Sequence, residues 1–202
     1  VQKALKDEQF ELTAFEKESD EFNAIFEAKK KADFESLEKG KLDATFKTTI
    51  NKMMTQQFSG IQKMYAENLK MKKLNGNPSP SFAYENHKGG ITKLEDLKGK
   101  FVYIDVWATW CAPCRAEIPF LKKIEEKYHG KNIEFVSISI DTKKDHEKWS
   151  KFVTEKNLGG VQLFADNDWN SQFIKDYGIN GIPRFILIGP DGNIIDADAD
   201  RP

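Results

Sequence analysis

The chain has 202 residues, of which 39% are hydrophobic and 31% charged, and its net charge is −1. This composition is typical of a folded globular protein, and the balanced charge excludes a basic surface for nucleic acid or anionic lipid. No apolar run approaches the roughly 20 residues that span a bilayer, and no basic-then-apolar signal segment follows Val1.

Residues 1–76 differ from the rest because they contain no Pro, Cys or Trp and are rich in Lys, Glu, Ala and Phe. Apolar residues recur there at helical spacing in two stretches that are separated at Gly40. We therefore predict an N-terminal region of two long amphipathic helices that pair as a hairpin. The two apolar stripes are Leu5, Leu12, Phe15, Phe22 and Phe26, and Phe46, Ile50, Met53, Ile61 and Met64.

Two interpretations of these stripes stay open. Each stripe packs on its partner or on the main domain, or the pair forms an arm for dimerisation or for docking a client protein. The turn-rich segment 75–80, with two Pro, is typical of a linker. It divides the helical region, residues 1–76, from a second domain, residues 77–202.

The second domain alternates between strand and helix signals. This order predicts an α/β fold, with a mixed sheet flanked by helices. A hairpin signal at Asp191-Gly192 closes it and leaves one sheet face uncovered, so we expect a further C-terminal helix that is missing from this chain. Strands are predicted at 82–86, 101–107, 133–140, 161–165, 184–188 and 193–197, and helices after a capping box of Thr92 and Glu95, from the Cys pair to His129, and at 144–157 and 169–177.

The two cysteines, Cys111 and Cys114, follow a predicted buried strand and open a predicted helix. A Cys at a helix N-terminus meets unpaired N–H groups that favour the thiolate, the attacking species in disulfide exchange. Cys114 lies one turn further in and is placed to resolve the mixed disulfide. Pro113 fixes the turn between them. Half of a metal site and an inert structural disulfide are the alternatives.

The stretch 104–114 resembles the active site of the thioredoxin superfamily, and the pattern W-C-x-P-C-x-x-E-x-P from Trp110 to Pro119 is similar to its TlpA/ResA-like branch. The resemblance covers about residues 80–200. It implies a thioredoxin-like fold and a thiol–disulfide oxidoreductase that reduces protein disulfides with no organic cofactor, only its own Cys pair. It also implies an upstream electron donor, an extracytoplasmic or periplasmic location, with a membrane anchor in the full-length protein, and roles such as cytochrome c maturation.

The same resemblance implies further site residues. Pro183 takes the place of the cis-proline that faces the dithiol, and the backbone of Ile182 is placed to pair with a client. Asp105 matches the buried proton carrier for the resolving Cys, and burial should raise its pKa. Glu117 matches a glutamate that tunes the Cys pair. Trp110 would form an apolar lip for clients.

One departure from the family pattern and two rival functions bear on this interpretation. Ser137 stands where thioredoxins carry a lysine near the buried acid. A peroxiredoxin-like peroxidase would need a Thr where Ala108 stands. A non-enzymatic, metal-binding or client-binding module of the copper-carrier type would want C-x-x-x-C and a distal His, and no motif places His146 in that role.

Overall fold

The computed structural model describes residue 14 and residues 17–202. The chain divides into two compact units, Val1–Lys70 and Met71–Pro202. The sequence places the domain boundary slightly later, at residue 76. In the described part of the chain, no helix combines the length and the apolar character that crossing a membrane requires.

The described part of the first unit contains a helical hairpin. Its first helix, α1, is Ser19–Lys39, and its second, α2, is Ala44–Lys72, so that α2 ends just inside the second unit. Acidic residues in the first turn of α1 and Lys39 in its last turn complement the helix dipole. Gly40 ends α1 as predicted, and its N–H donates to the carbonyl oxygen of Leu37.

Aromatic side chains hold the two helices together. Phe22 of α1 stacks on Tyr65 of α2 with ring centroids 3.5 Å apart, and Phe26 meets Phe58 edge to face at 5.4 Å. The hydroxyl of Tyr65 donates to the carbonyl oxygen of Lys17. The predicted stripe of α1 is therefore confirmed at Phe22 and Phe26, whereas Leu5, Leu12 and Phe15 lie outside the described residues.

The predicted stripe of α2 is largely wrong. Its buried face carries Phe58, Ile61 and Tyr65, while Phe46, Met53 and Met64 are exposed and Ile50 is half-buried. Several apolar residues on this helix lie at helical spacing from one another, so periodicity alone did not say which set faces α1. The choice is made by the aromatic side chains of α1, which lie opposite Phe58 and Tyr65.

The second unit is a seven-stranded mixed sheet with the order β2-β1-β5-β4-β3-β6-β7. The central strands β5, β4 and β3 are parallel, and every other neighbouring pair is antiparallel. The strands are β1 Ala83–Asn86, β2 Ile91–Lys93, β3 Phe101–Trp107, β4 Ile133–Ser139, β5 Val161–Phe164, β6 Arg184–Ile188 and β7 Ile194–Asp196, and the helices are α3 Ala112–Lys127, α4 His146–Glu155 and α5 Gln172–Asp176. The predicted thioredoxin-like α/β fold is confirmed.

The short helix predicted after Thr92 is present, but its cap lies one residue later than predicted. The capping box of Thr92 and Glu95 does not begin this helix, because Thr92 lies in strand β2, which pairs antiparallel with β1. A short 3-10 helix, Leu94–Leu97, follows, and its start is held by Asp96, whose carboxylate accepts the N–H of Lys93 at 2.9 Å. This edge strand has only three residues and none of them is buried, so it buries little apolar surface and gave no strand signal in the sequence.

The sheet positions the site through β3. Its even-numbered residues, such as Ile104 and Val106, are fully buried in the main core. Asp105 and Trp107 point to the other face, where they meet Ile118 and Leu121 of α3. β3 ends at Trp107, and the chain runs from there directly into the Cys pair at the start of α3. The site therefore lies at the carboxyl end of the parallel strands.

Part of that second face is open at the opposite end of β3. An apolar groove of about 640 Å³ lies there, and Phe101 at its edge is 39% exposed. This is the uncovered sheet surface that the sequence predicts beside the closing strands. The further helix expected to cover it stays a prediction. Other groove residues are Tyr103, Tyr128, Ile133 and Leu187.

Candidate active site

The Cys pair lies where the sequence predicts, at the first turn of α3. Cys111 is the residue that caps the helix, and a disulfide joins it to Cys114, with the two Cα atoms 5.3 Å apart. The Sγ of Cys111 accepts the backbone N–H of Cys114 at 3.1 Å. That N–H, together with the helix dipole, would stabilise a thiolate on Cys111 after reduction.

The segment before Cys111 is anchored to the sheet by a residue that the sequence analysis missed. Asp141 is fully buried just after β4. Its carboxylate accepts the backbone N–H of Thr109 at 2.8 Å, the hydroxyl of Thr109 at 2.7 Å and the hydroxyl of Ser139 at 2.8 Å. The available signal was an acid directly following a buried strand, where a charge needs several donors.

Arg115 closes the dithiol turn from the other side. Its guanidinium donates to the carbonyl oxygen of Thr109 at 2.5 Å, and its backbone N–H donates to the carbonyl oxygen of Cys111. Thr109 is therefore held at its N–H by Asp141 and at its carbonyl by Arg115. This fixes the backbone that carries the attacking sulfur.

The loop before β6 faces the dithiol. The peptide bond between Ile182 and Pro183 is cis, as the resemblance implies. The carbonyl oxygen of Ile182 lies 3.9 Å from the Sγ of Cys111. Among the residues that the structure describes, no backbone N–H donates to this carbonyl, so it can pair with an incoming strand.

Two tryptophans flank the pair in different environments. Trp110 is 48% exposed, and its ring centroid lies 6.5 Å from that of Trp169. Trp107 is buried and packs against Phe152 of α4. The exposed apolar surface beside Cys111 therefore comes from Trp110 and from Trp169, a residue the sequence analysis did not place at the site.

Asp105 is buried in β3, between Ser137 of β4 and Phe185 of β6 in the strand register. The structure thus puts Ser137 beside it, at the position the sequence alignment assigned. Burial, together with the smaller effect of the negative charges of Glu117 and Glu125, raises the pKa of Asp105 to about 8. A carboxyl with this pKa can exchange a proton near neutral pH.

Glu117 lies on α3, one turn after Cys114. Its carboxylate pairs with the guanidinium of Arg201 at 3.1 Å, and only 14% of its side chain is exposed. Its negative charge therefore acts on Asp105 from within an ion pair. Pro119 lies inside the helix that carries both Glu117 and the Cys pair.

The metal-binding and peroxidase alternatives depend on residues other than those described so far. Within residue 14 and residues 17–202, no three His, Cys, Asp or Glu side chains are grouped in a way that could hold a metal ion. His146, which no motif places in a copper site, pairs with Glu85 at 2.9 Å. Ala108, at the place of the peroxidase Thr, is fully buried.

Known proteins resemble the second unit. Residues 74–201 match the family model Redoxin. The thiol–disulfide oxidoreductase ResA of Bacillus thuringiensis is 31% identical over 139 residues, which are 69% of this chain and 76% of the relative.

Two solved structures from Bacteroides vulgatus are also similar to this chain. The first, a candidate thiol–disulfide oxidoreductase, is 54% identical to this chain with a TM-score of 0.55. The match covers 63% of this chain and 82% of the other chain. The thioredoxin domain of a second thiol–disulfide oxidoreductase is 30% identical with a TM-score of 0.57, covering 62% and 88%.

Proposed function

The chain belongs to the redoxin family and is a thiol–disulfide oxidoreductase of the ResA-like type, and from this premise we propose that it reduces disulfide bonds of client proteins outside the cytoplasm. The observation that carries the proposal is the position of Cys111. Its sulfur lies at the N-terminus of α3 and beside the carbonyl of Ile182, which a client strand can approach. The ResA-like resemblance supports the reducing direction and the compartment.

The reaction needs two thiol–disulfide exchanges. The thiolate of Cys111 attacks one sulfur of the client disulfide, and the other client sulfur leaves as a thiolate. Cys114 then loses its proton and attacks the Sγ of Cys111, which releases the second client thiolate and leaves the Cys111–Cys114 disulfide. The client gains two electrons, and a separate dithiol donor must return two electrons to the pair.

Asp105 and Glu117 serve this cycle in different ways. Asp105 accepts the proton of Cys114 during resolution, since its pKa of about 8 lies close to that of a thiol. Glu117 adds negative charge beside the pair, which raises thiol pKa values and the pKa of Asp105. At Cys111 the helix N-terminus opposes the effect of Glu117, because it favours the thiolate and so lowers the thiol pKa.

The client would bind as an extended segment. The backbone of Ile182 and Pro183 pairs with it, and Trp110 supplies apolar contact beside its cysteine. Pro113 is exposed between the two cysteines and leaves no N–H there for the client to satisfy.

The test is an equilibrium redox titration of the Cys pair, followed by tryptophan fluorescence. A potential near −270 mV, roughly the thioredoxin value, supports a reductant, whereas one near −120 mV, roughly that of a strong oxidant, contradicts the reducing direction. Cys114→Ser should accumulate a mixed disulfide with a client, and Cys111→Ser should form none. Failure of the wild-type pair to titrate would overturn the enzyme proposal.

We further propose clients in cytochrome c maturation or in the repair of oxidised extracytoplasmic proteins, on the resemblance alone. Mixed disulfides trapped with Cys114→Ser in whole cells should contain extracytoplasmic proteins. Recovery of cytoplasmic proteins only would contradict the location. Pairing of two chains through α1 and α2 is a separate hypothesis, which a strictly monomeric elution in size-exclusion chromatography would remove.

A further inference from the structure

A small cavity lies behind Asp105, on the side of α3. Its volume is about 10 Å³, close to the space that one water molecule needs. Asp105, Trp107, Gln162 and Glu125 all line it. Asp105 and Gln162 are each 5% exposed, so two buried polar side chains border a cavity that an acid of α3 also reaches.

Three buried polar atoms of these lining residues lack a hydrogen-bond partner within the described part of the chain. They are the Oδ1 of Asp105, the Oε1 of Gln162 and the Nε1 of Trp107. Two are acceptors and one is a donor, which is a set that one water molecule can satisfy, because a water donates twice and accepts. The cavity is thus suited to a proton path that begins at Asp105.

The carboxylate of Glu125 occupies a notch that two glycines keep open. A Cβ on Gly159 would lie 2.0 Å from the Oε2 of Glu125, and a Cβ on Gly160 would lie 3.3 Å from its Oε1. Any other residue at 159 would displace this carboxylate. The glycines therefore hold Glu125 at the cavity while its side chain stays half-buried, between Asp105 and solvent.

The charged groups around Asp105 single out Glu125. From α3, Glu117, Lys122 and Glu125 approach it, while β4 and β5 contribute the neutral Ser137 and Gln162 and β6 contributes Phe185. Glu117 is held by Arg201. Lys122 uses its ammonium to donate to the carbonyl oxygen of Lys156.

Within residues 17–202, no cation forms an ion pair with Glu125. Burial raises the pKa of Glu125, and the charge of Lys122 only partly opposes this. Of the two acids that act on Asp105, Glu125 is therefore the one that no ion pair holds within the described residues and that lies at the cavity.

We propose that Glu125 carries the proton between Asp105 and solvent, so that Asp105 is free to accept the next proton from Cys114. The need follows from the chemistry, since Asp105 is mostly protonated at pH 7 and must release that proton before Cys114 can give up its own. The proton passes from Asp105 through the cavity to Glu125 and then to solvent. Glu125 acts through Asp105 and does not touch the sulfur atoms.

The proposal rests on the disulfide reductase function, and its test isolates the resolving step in the full chain. Glu125→Gln is compared with Glu126→Gln, which removes an exposed charge from the next position on the same helix. The rate of resolution at pH 7 is followed by stopped-flow tryptophan fluorescence with a model protein disulfide. We expect Glu125→Gln to slow it at least about tenfold and Glu126→Gln to leave it unchanged.

Buffer rescue separates proton transfer from a merely structural role. In Glu125→Gln, added imidazole should restore the rate in proportion to its concentration, whereas the wild type should not respond. Gly159→Ala, which displaces the carboxylate without removing it, should slow resolution in the same direction and serves if Glu125→Gln fails to fold. A wild-type rate of resolution in both Glu125→Gln and Gly159→Ala overturns the proposal. Slowing in Glu125→Gln that imidazole does not relieve overturns it as well. Absence of reduction by the wild type itself would instead overturn the proposed function.

Discussion

Replacing Asp105 by Asn should make the second unit more stable at neutral pH. The carboxyl is buried, and its pKa rises from an ordinary value of 3.8 to about 8. Between these two values the unfolded chain has lost the proton that the folded chain still binds. The stabilising contribution of the protonated carboxyl is therefore complete below pH 3.8 and is lost progressively as the pH rises to about 8.

The size of the effect follows from the width of this pH window. Each pH unit is worth about 1.4 kcal/mol, so that the ionisation of Asp105 in the unfolded chain costs the wild type about 4 kcal/mol at pH 7. Asn keeps the shape and the polarity but does not ionise. Wild type and Asp105→Asn should be nearly equal in stability at pH 4, and should differ by about 4 kcal/mol at pH 7.

Urea unfolding of the oxidised protein measures this difference. All four tryptophans lie after residue 100, so their fluorescence reports on the second unit and not on the helical hairpin. Asp166→Asn, at an exposed position, is the control and should follow the wild type at every pH. Stability curves of wild type and Asp105→Asn that run parallel from pH 4 to pH 8 would refute the assignment of a raised pKa to Asp105.

Three further predictions concern other parts of the molecule. Asp141→Asn should cost the second unit about 1–2 kcal/mol in urea unfolding, because three hydrogen bonds to a buried carboxylate lose their charge, and a stability equal to that of the wild type would contradict this. Phe26→Ala should destabilise the helical hairpin by about 3–5 kcal/mol, seen as an earlier loss of helical circular dichroism with unchanged tryptophan fluorescence. Trp110→Ala should raise KM for a protein disulfide several-fold and leave the reduction of a small disulfide unaffected, and equal losses on both substrates would argue against a client-contacting role.

Much of the site could be read from the sequence, because each of its segments carries a local signal even where two segments are far apart in the chain. The dithiol, the strand Phe101–Trp107 before it and the strand Arg184–Ile188 after Pro183 lie where they were predicted. Strong apolar runs and a helix-opening Cys pair are local signals. The buried position of Asp105 followed from one acid within an apolar strand.

Other parts could not be read from it, because they depend on residues far apart in the sequence. Asp141 anchors Thr109 across 32 positions, and Glu125 meets Asp105 only because α3 folds back over β3. The signal at Asp141 is only an acid that follows a buried strand, and no spacing rule marks Glu125 as different from the many solvent-exposed acids of this chain. Their roles arise from the donors, glycines and buried surfaces that surround them.

The sequence by itself determined that this chain has an α/β domain with a Cys pair at a helix start, since backbone periodicity and the C-x-x-C spacing are properties of neighbouring residues. Only the tertiary structure decided which face of α2 is buried, that residues 91–93 form an edge strand, and which acids raise the pKa of Asp105. These outcomes depend on which surfaces exclude water together. Burial, and the pKa values that follow from it, belongs to the packed molecule and not to any one segment.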